Sequence, residues 1–312
     1  MTGRRPEAPS RDPGRFSPVF VLTTARSYSS VVTTMIGQHP QLAGLPELKL
    51  FGYATIGELE ASLPRYWRDR GITHRSPGLV RAIAQLEFGN QKVDSLGSAR
   101  SWLQDRSHWS GADIFDVLME RLDPRDTVEK SPENAESDAA LERLTSAYPS
   151  ARYLHLTRHP VTTQRSVKEH LQRSVPEYSM PGEPMSGIAF WVETHCRILG
   201  LAATLPKQRY MRVKAEDVLN DTRPQLRSIA AWLGIRTDKA AVDAMVHPEA
   251  SPFASFGPEE SGVVGGNDPN FLRDPVPRPV EITRTLEQPP GWEGNWALWE
   301  MTVEIANRLG YP

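Results

Sequence analysis

Three short stretches bring together residues able to grip an anion. Thr24-Ala25-Arg26-Ser27-Tyr28-Ser29-Ser30 follows an apolar run, Val19–Thr23, and precedes a helical pattern from Val31 to about His39. A strand–loop–helix layout of this kind offers unpaired backbone N–H groups and the positive end of a helix dipole to phosphate. Arg26 can fork onto two anionic oxygens, and Ser27, Ser29 and Ser30 add hydroxyl donors. The same residues also suit a plain strand-to-helix turn with capping serines. A second stretch, Tyr153 to Ser166, puts Arg158 at the end of an apolar run and Ser166 about two turns into the next helix. Ligands of open α/β sheets bind at the carboxyl ends of strands, where Arg158 would meet a second anionic group. The third, Val128-Glu129-Lys130-Ser131-Pro132-Glu133-Asn134, places Lys130 at another strand end. Each taken alone fits a solvated side chain; together they call for a ligand with anionic groups at two separated places. The first loop has no glycine and no Gly-Lys-Ser/Thr, and no aspartate is clearly placed for magnesium, which disfavours Walker-type nucleotide binding.

The elements that must position these residues are legible as periodicities. Val19–Thr23, Thr127–Lys130, Arg152–Thr157 and Arg209–Lys214 read as buried parallel strands. Helical patterns cover 133–147, 187–204, 223–234 and about 294–309, with Ser131-Pro132 expected to start the first and Gly310 to end the last. Strands alternating with helices predict an α/β fold, a central parallel sheet flanked by helices. Residues 54–122 hold four helical patterns (57–68, 76–88, 98–106, 112–121) and no strand, which predicts an inserted helical cap. Residues 250–292, rich in Pro and Gly, read as a long loop or lid. Residues 1–16 have the composition of a disordered tail, leaving 17–312 as a single domain. Leu63, Tyr66, Trp67, Trp102, Trp109, Phe253, Phe256 and Phe271 either line a substrate pocket or are ordinary core.

With a net charge of −2 over 312 residues the chain has no bulk field for nucleic acid or membrane. No apolar run approaches the roughly 18–20 residues of a transmembrane helix. The lone Cys196 and scattered histidines predict no metal site and weigh toward a cytoplasmic protein. The basic N-terminus lacks the apolar core of a secretory signal.

The three stretches together resemble the sulfotransferases that use 3′-phosphoadenosine 5′-phosphosulfate (PAPS). That family's first motif, Pro-Lys/Arg-Ser-Gly-Thr-Thr followed by a helix ending in His-Pro, is similar to Ala25–Ser30 with His39-Pro40. Its Arg-Asp/His-Pro with a serine after five residues matches Arg158-His159-Pro160 and Ser166, and its Lys-Thr/Ser-Pro matches Lys130-Ser131-Pro132. Arg212–Val218 and Leu309-Gly310-Tyr311 resemble two further segments. Pro46–Leu50 and Asn267–Phe271 look closest to bacterial members and to the sulfotransferase domains of polyketide off-loading modules. Tyr28 stands where the family has glycine, Ala25 where it has proline, and Lys214-Ala215 replaces its usual tyrosine.

The resemblance implies the P-loop-like sulfotransferase fold and sulfuryl transfer from PAPS to a hydroxyl, on a small molecule or a carrier-protein-linked chain, in secondary metabolism. It assigns Arg26 with Ser27, Tyr28, Ser29 and Ser30 to the 5′-phosphosulfate. Lys130 falls to the leaving oxygen, and Arg158 with Ser166 to the 3′-phosphate. For the general base it offers Glu47, at a place similar to the catalytic glutamate of tyrosylprotein sulfotransferases, and His195 second. Two rivals stay open: an inactive nucleotide-binding module of this fold, for which Tyr28 speaks, and a P-loop-like small-molecule kinase. Oligomeric state is not legible.

Overall fold

A computed structural model describes residues 6–312 apart from 13, 70, 71, 73, 175–185, 284 and 288–294. Five strands, β1 (Val19–Leu22), β2 (Leu42–Gly44), β3 (Asp126–Glu129), β4 (Arg152–Thr157) and β5 (Tyr210–Lys214), form one sheet in the order β2-β3-β1-β4-β5. All pairings are parallel, with Val19 level with Val128 on one side and Arg152 on the other. The helices in chain order are α1 (Ser29–Gly37), α2 (Ile56–Ala61), α3 (Arg65–Arg68), α4 (Pro77–Glu87), α5 (Val93–Asp105) and α6 (Gly111–Leu122). There follow α7 (Asp138–Ala147), α8 (Pro160–Ser174), α9 (Ser186–Thr204), α10 (Ala215–Asn220), α11 (Thr222–Leu233), α12 (Lys239–Met245), α13 (Pro269–Arg273) and α14 (Trp296–Arg308).

Strand β1 shows why both faces are covered. Alternate side chains point to opposite faces. Phe20 and Leu22 enter one apolar cluster with Phe51, Phe115, Tyr148 and Tyr153. Val19 and Val21 enter another with Val32, Ile36, Leu154 and Ile229. The sheet is thus sandwiched between two apolar layers, and every strand ends at the same edge, where the loops bearing Arg26, Lys130 and Arg158 emerge.

Several expectations need correction. The three-residue strand β2 is too short to register as an apolar run. Its Gly44 lies so close to α1 that a Cβ on Gly37 would meet the Gly44 Cα at 2.4 Å. The helix expected from 133 starts at Asp138, capped by Ser137, whose Oγ accepts from the Ala140 amide at 3.2 Å. Ser131 instead precedes a 3₁₀ turn, Pro132–Ala135. The helix expected over 57–68 is two pieces, split at Pro64, which lacks the N–H needed to continue the first. Part of the 250–292 loop is helical, because Asp268 caps α13 through the Asn270 amide at 2.7 Å.

Helices α2–α6 form the inserted cap. From the segment read as a tail, Arg11 pairs with Asp116 at 2.6 Å, and the Pro6 carbonyl accepts from the Trp109 indole at 3.1 Å. Residues 1–5 of that segment lie outside the described residues.

Candidate active site

Two cavities open side by side at the carboxyl edge of the sheet, about 570 and 470 Å³ in volume. Arg26, Tyr28, Ser30 and Asp268 wall both. The first is completed by Arg158, Ser166, Arg165, Phe271 and Arg278, the second by Glu47, Lys49, Glu136, His170 and Phe190.

The loop between β1 and α1 is held in an unusual backbone form. Arg26 (φ 64°) and Tyr28 (φ 57°) are both left-handed, a conformation glycine adopts freely and other residues seldom. Tyr28 therefore keeps the backbone shape a glycine would supply. Its ring lies 4.0 Å under the Arg158 guanidinium, an attractive cation–π stack. Arg158 is 7 % exposed. Two of its N–H groups find acceptors, the Arg26 carbonyl at 2.5 Å and Thr162 Oγ1 at 3.2 Å. The Arg26 Nε reaches Ser166 Oγ at 3.3 Å. Both arginines thus wall one cavity, together with Ser166.

Support for Arg158 comes from distant sequence. Glu216 accepts from the His159 amide at 2.8 Å and from the Tyr311 hydroxyl at 3.1 Å. Trp191 donates to the Arg158 carbonyl at 3.1 Å. The segment around Glu216 and the terminal Gly310-Tyr311 therefore brace the loop without touching either cavity.

Lys130 is 2 % exposed and paired with Glu47, with Ser30 Oγ at 3.3 Å. The motif around it is built by Glu129, which sequence reading passed over. Its buried carboxylate accepts from Ser131 Oγ at 2.5 Å, Asn134 Nδ2 at 2.7 Å and the Leu48 amide at 3.3 Å. Burial pushes its pKa up to about 7 against these hydrogen bonds. Ser131 also accepts from the Lys49 amide at 2.8 Å, stitching the Pro46–Leu50 segment to the strand end and so setting Glu47 beside Lys130.

The cap and the 250–292 loop meet on the backbone of Glu47. Its carbonyl accepts from Ser76 Oγ at 3.1 Å, and its amide donates to the Gly266 carbonyl at 2.8 Å. Gly78 fits against it only for want of a side chain, since a Cβ there would meet the Glu47 oxygen at 2.3 Å. The cap thus holds the site from behind. Trp109 and Phe253 are core, Trp102 packs against that core, and of these aromatics Phe271 alone walls a cavity among the described residues. The side chains of Tyr66 and Trp67 lie outside the described residues.

Of the residues singled out from sequence, Arg26, Tyr28, Ser29, Ser30, Glu47, Lys130, Arg158 and Ser166 converge here. Ser27 also lines the second cavity, though it is buried and its hydroxyl is engaged with Thr24 Oγ1 at 2.8 Å. His195 is not brought to the site. Its ring is fully buried against Trp191, with Nδ1 2.7 Å from His155 Nε2, and burial lowers its pKa to about 3. The apolar helix that carries it turns that face toward the sheet. Missed in sequence were Asp268, which ion-pairs with Arg26, and His170, on the wall of the second cavity. The Asn267–Phe271 segment had drawn notice only by its resemblance, since the ion pair joins residues 242 positions apart, and His170 stands in a helix of mostly polar residues that left no local signal.

The sequence profile of the sulfotransferase family matches residues 18–239. The chain belongs to the sulfotransferase family. Its sulfotransferase fold is shared with the sulfotransferase domain from the curacin biosynthetic pathway, at 20 % identity, TM-score 0.75, over 96 % of this chain and 99 % of that domain. The sulfotransferase domain of the Synechococcus PCC 7002 olefin synthase is similar at 24 % identity and TM-score 0.70, over 98 % of each chain. A mouse sulfotransferase complexed with PAP is more distant, at 11 % identity and TM-score 0.51, over 94 % of this chain and 84 % of that one. No curated protein matches this sulfotransferase in sequence.

Proposed function

We propose that this sulfotransferase moves a sulfuryl group from PAPS to a hydroxyl of a small-molecule or carrier-linked acceptor in secondary metabolism. The observation that carries the reading is the cavity on whose wall Arg26, Arg158 and Ser166 come together. The site's own salt bridges test the fit. Asp268 on Arg26 and Asp274 on Arg278 supply carboxylate oxygens to guanidinium groups of this cavity. Both guanidinium groups are therefore set to receive anionic oxygens.

PAPS would supply the transferable sulfuryl group and a bisphosphate leaving group. Arg26 with the hydroxyl of Ser30 holds the 5′ end, and Arg158 and Ser166 hold the 3′-phosphate by the fork geometry suited to phosphate. Lys130 stabilises the charge that develops on the leaving oxygen, an electrostatic role strengthened by its burial. To do so it exchanges Glu47 for the incoming oxygen. The acceptor approaches through the second cavity, where Val167, Leu171, Phe190 and Pro132 offer apolar surface.

Adenosine 3′,5′-bisphosphate should raise the melting temperature, and Mg-ATP should not. Transfer of radiolabelled sulfate from PAPS to a panel of phenols and alcohols then tests turnover. No stabilisation by the bisphosphate, or stabilisation by Mg-ATP instead, would overturn the reading; binding without transfer, even to water, would make the chain a nucleotide-binding module.

A further inference from the structure

Helix α8 turns Ser166 toward the first cavity and Val167, His170 and Leu171 toward the second. Positions three and four apart share one helix face, so the helix that holds the donor's 3′ end also carries an imidazole to the acceptor side. His170 is the one imidazole on either cavity wall among the described residues. Its ring has no hydrogen-bond or ion-pair partner among them. Glu47, on the same wall, differs in this respect: its Oε1 already takes a hydrogen bond from the Lys130 ammonium.

We propose that His170, rather than Glu47, accepts the proton of the acceptor hydroxyl during sulfuryl transfer. The inference rests on the sulfuryl-transfer reading above. As the acceptor oxygen forms its bond to sulfur, the bond between sulfur and the 5′-phosphate oxygen breaks. The electron pair of that bond stays on the phosphate oxygen beside Lys130, and the hydroxyl proton goes to an imidazole nitrogen of His170. Glu47 then has two tasks: it holds Lys130 in line until the donor arrives, and its negative charge raises the proton affinity of the ring.

The surroundings of His170 leave it neutral and able to act. Burial is the largest influence and lowers its pKa from 6.5; the charge of Arg26 lowers it further, and Arg173 on its own helix does the same. Asp268 and Glu47 oppose them. A neutral imidazole near neutral pH is well matched to general-base work.

The test compares His170→Ala, His170→Gln and Glu47→Gln with the unaltered protein. Turnover is read as labelled sulfate transferred from PAPS to 1-naphthol, to simple alcohols and to water. Both His170 variants should lose about 100-fold or more in kcat, the usual worth of a positioned base, while binding adenosine 3′,5′-bisphosphate within threefold of the parent. Added imidazole should restore part of the rate to His170→Ala. The rise of kcat/KM with pH, centred below 6.5, should vanish in that variant. Independently of turnover, the His170 ring followed by NMR in the ligand-free protein should titrate below 6.5, and lower still in Glu47→Gln. A kcat within threefold of the parent in either His170 variant, or a pH limb that survives the substitution, overturns the assignment. So does a bisphosphate affinity that falls as far as kcat, which would mark His170 as a structural residue. A parent protein that does not bind the bisphosphate sinks the functional reading itself.

Discussion

Removing the charge of Asp268 should tighten nucleotide binding. In the ligand-free site Arg26 is paired with Asp268, the two side chains 13 % and 25 % exposed. A 5′-phosphosulfate can engage that guanidinium only by displacing the carboxylate, which would otherwise repel it. Fully exposed pairs contribute about 0.2–1 kcal/mol, whereas removing one partner of a buried pair costs about 3–5 kcal/mol. This pair lies between those limits, so a value of about 1.4 kcal/mol after discounting for solvent is reasonable. That corresponds to about tenfold in Kd. Asp268→Asn isolates the charge, because asparagine caps a helix as well as aspartate and can keep the bond to the Asn270 amide. The hydrogen bond from the residue 268 amide to Ser30 Oγ, 3.0 Å long, does not depend on the side chain. Titration calorimetry with adenosine 3′,5′-bisphosphate at fixed ionic strength should show about tenfold tighter binding by Asp268→Asn. In an Arg26→Ala background the same change should have much less effect. Equal or weaker binding by Asp268→Asn would show that the carboxylate does not compete with the ligand, and the exchange of partners at Arg26 would be wrong.

Arg158→Ala should weaken bisphosphate binding by about 10- to 150-fold, the worth of hydrogen bonds to a charged group; Arg158→Lys should recover only part, lacking the planar fork. An unchanged Kd would remove Arg158 from the 3′-phosphate site. Gly78→Ala pushes a Cβ into the Glu47 carbonyl, 2.3 Å away. It should lower turnover at least about tenfold, since small misplacements near a site are costly, with bisphosphate affinity nearly intact; unaltered turnover would mean the cap does not set Glu47. Glu129 supplies a pH test. Its folded pKa is raised from 4.5 to about 7, so the native state binds more protons than the unfolded chain between those values, and stability falls as pH rises through that window. For Glu129→Gln the fall from pH 4.5 to 7 should be shallower by up to about 3 kcal/mol. Glu136, also raised to about 7, leaves a residual slope in both proteins, so parallel curves in chemical denaturation would refute the role of Glu129.

Local order was readable because it is written in near neighbours. β1, β3, β4 and β5 are apolar runs bounded by turn residues, and the first three lead directly into the loops that carry the site. Arg26, Lys130 and Arg158 could therefore be placed at strand ends, and parallel strands send those ends to one edge. The family motifs carried the same information at a finer grain, down to Glu216 and Tyr311, whose bracing role became visible only in the folded chain. β2 escaped notice because three residues carry no period, and the start of α7 was misplaced because Ser131 and Ser137 are both good caps.

The amino-acid order by itself determined the parallel sheet, the inserted helical cap and the cationic residues at the strand ends, since strand periodicity, turn chemistry and spacing act over a few residues. Only the tertiary structure decided which carboxylate meets which cation. Asp268 pairs with Arg26 across 242 positions and Glu47 with Lys130 across 83, separations at which no local pattern survives. It also decided that Tyr28 keeps a glycine-like backbone by stacking its ring on Arg158, that His195 faces the core and that His170 faces a cavity. A helix pattern shows which residues share a face; what that face packs against depends on elements far away in the chain.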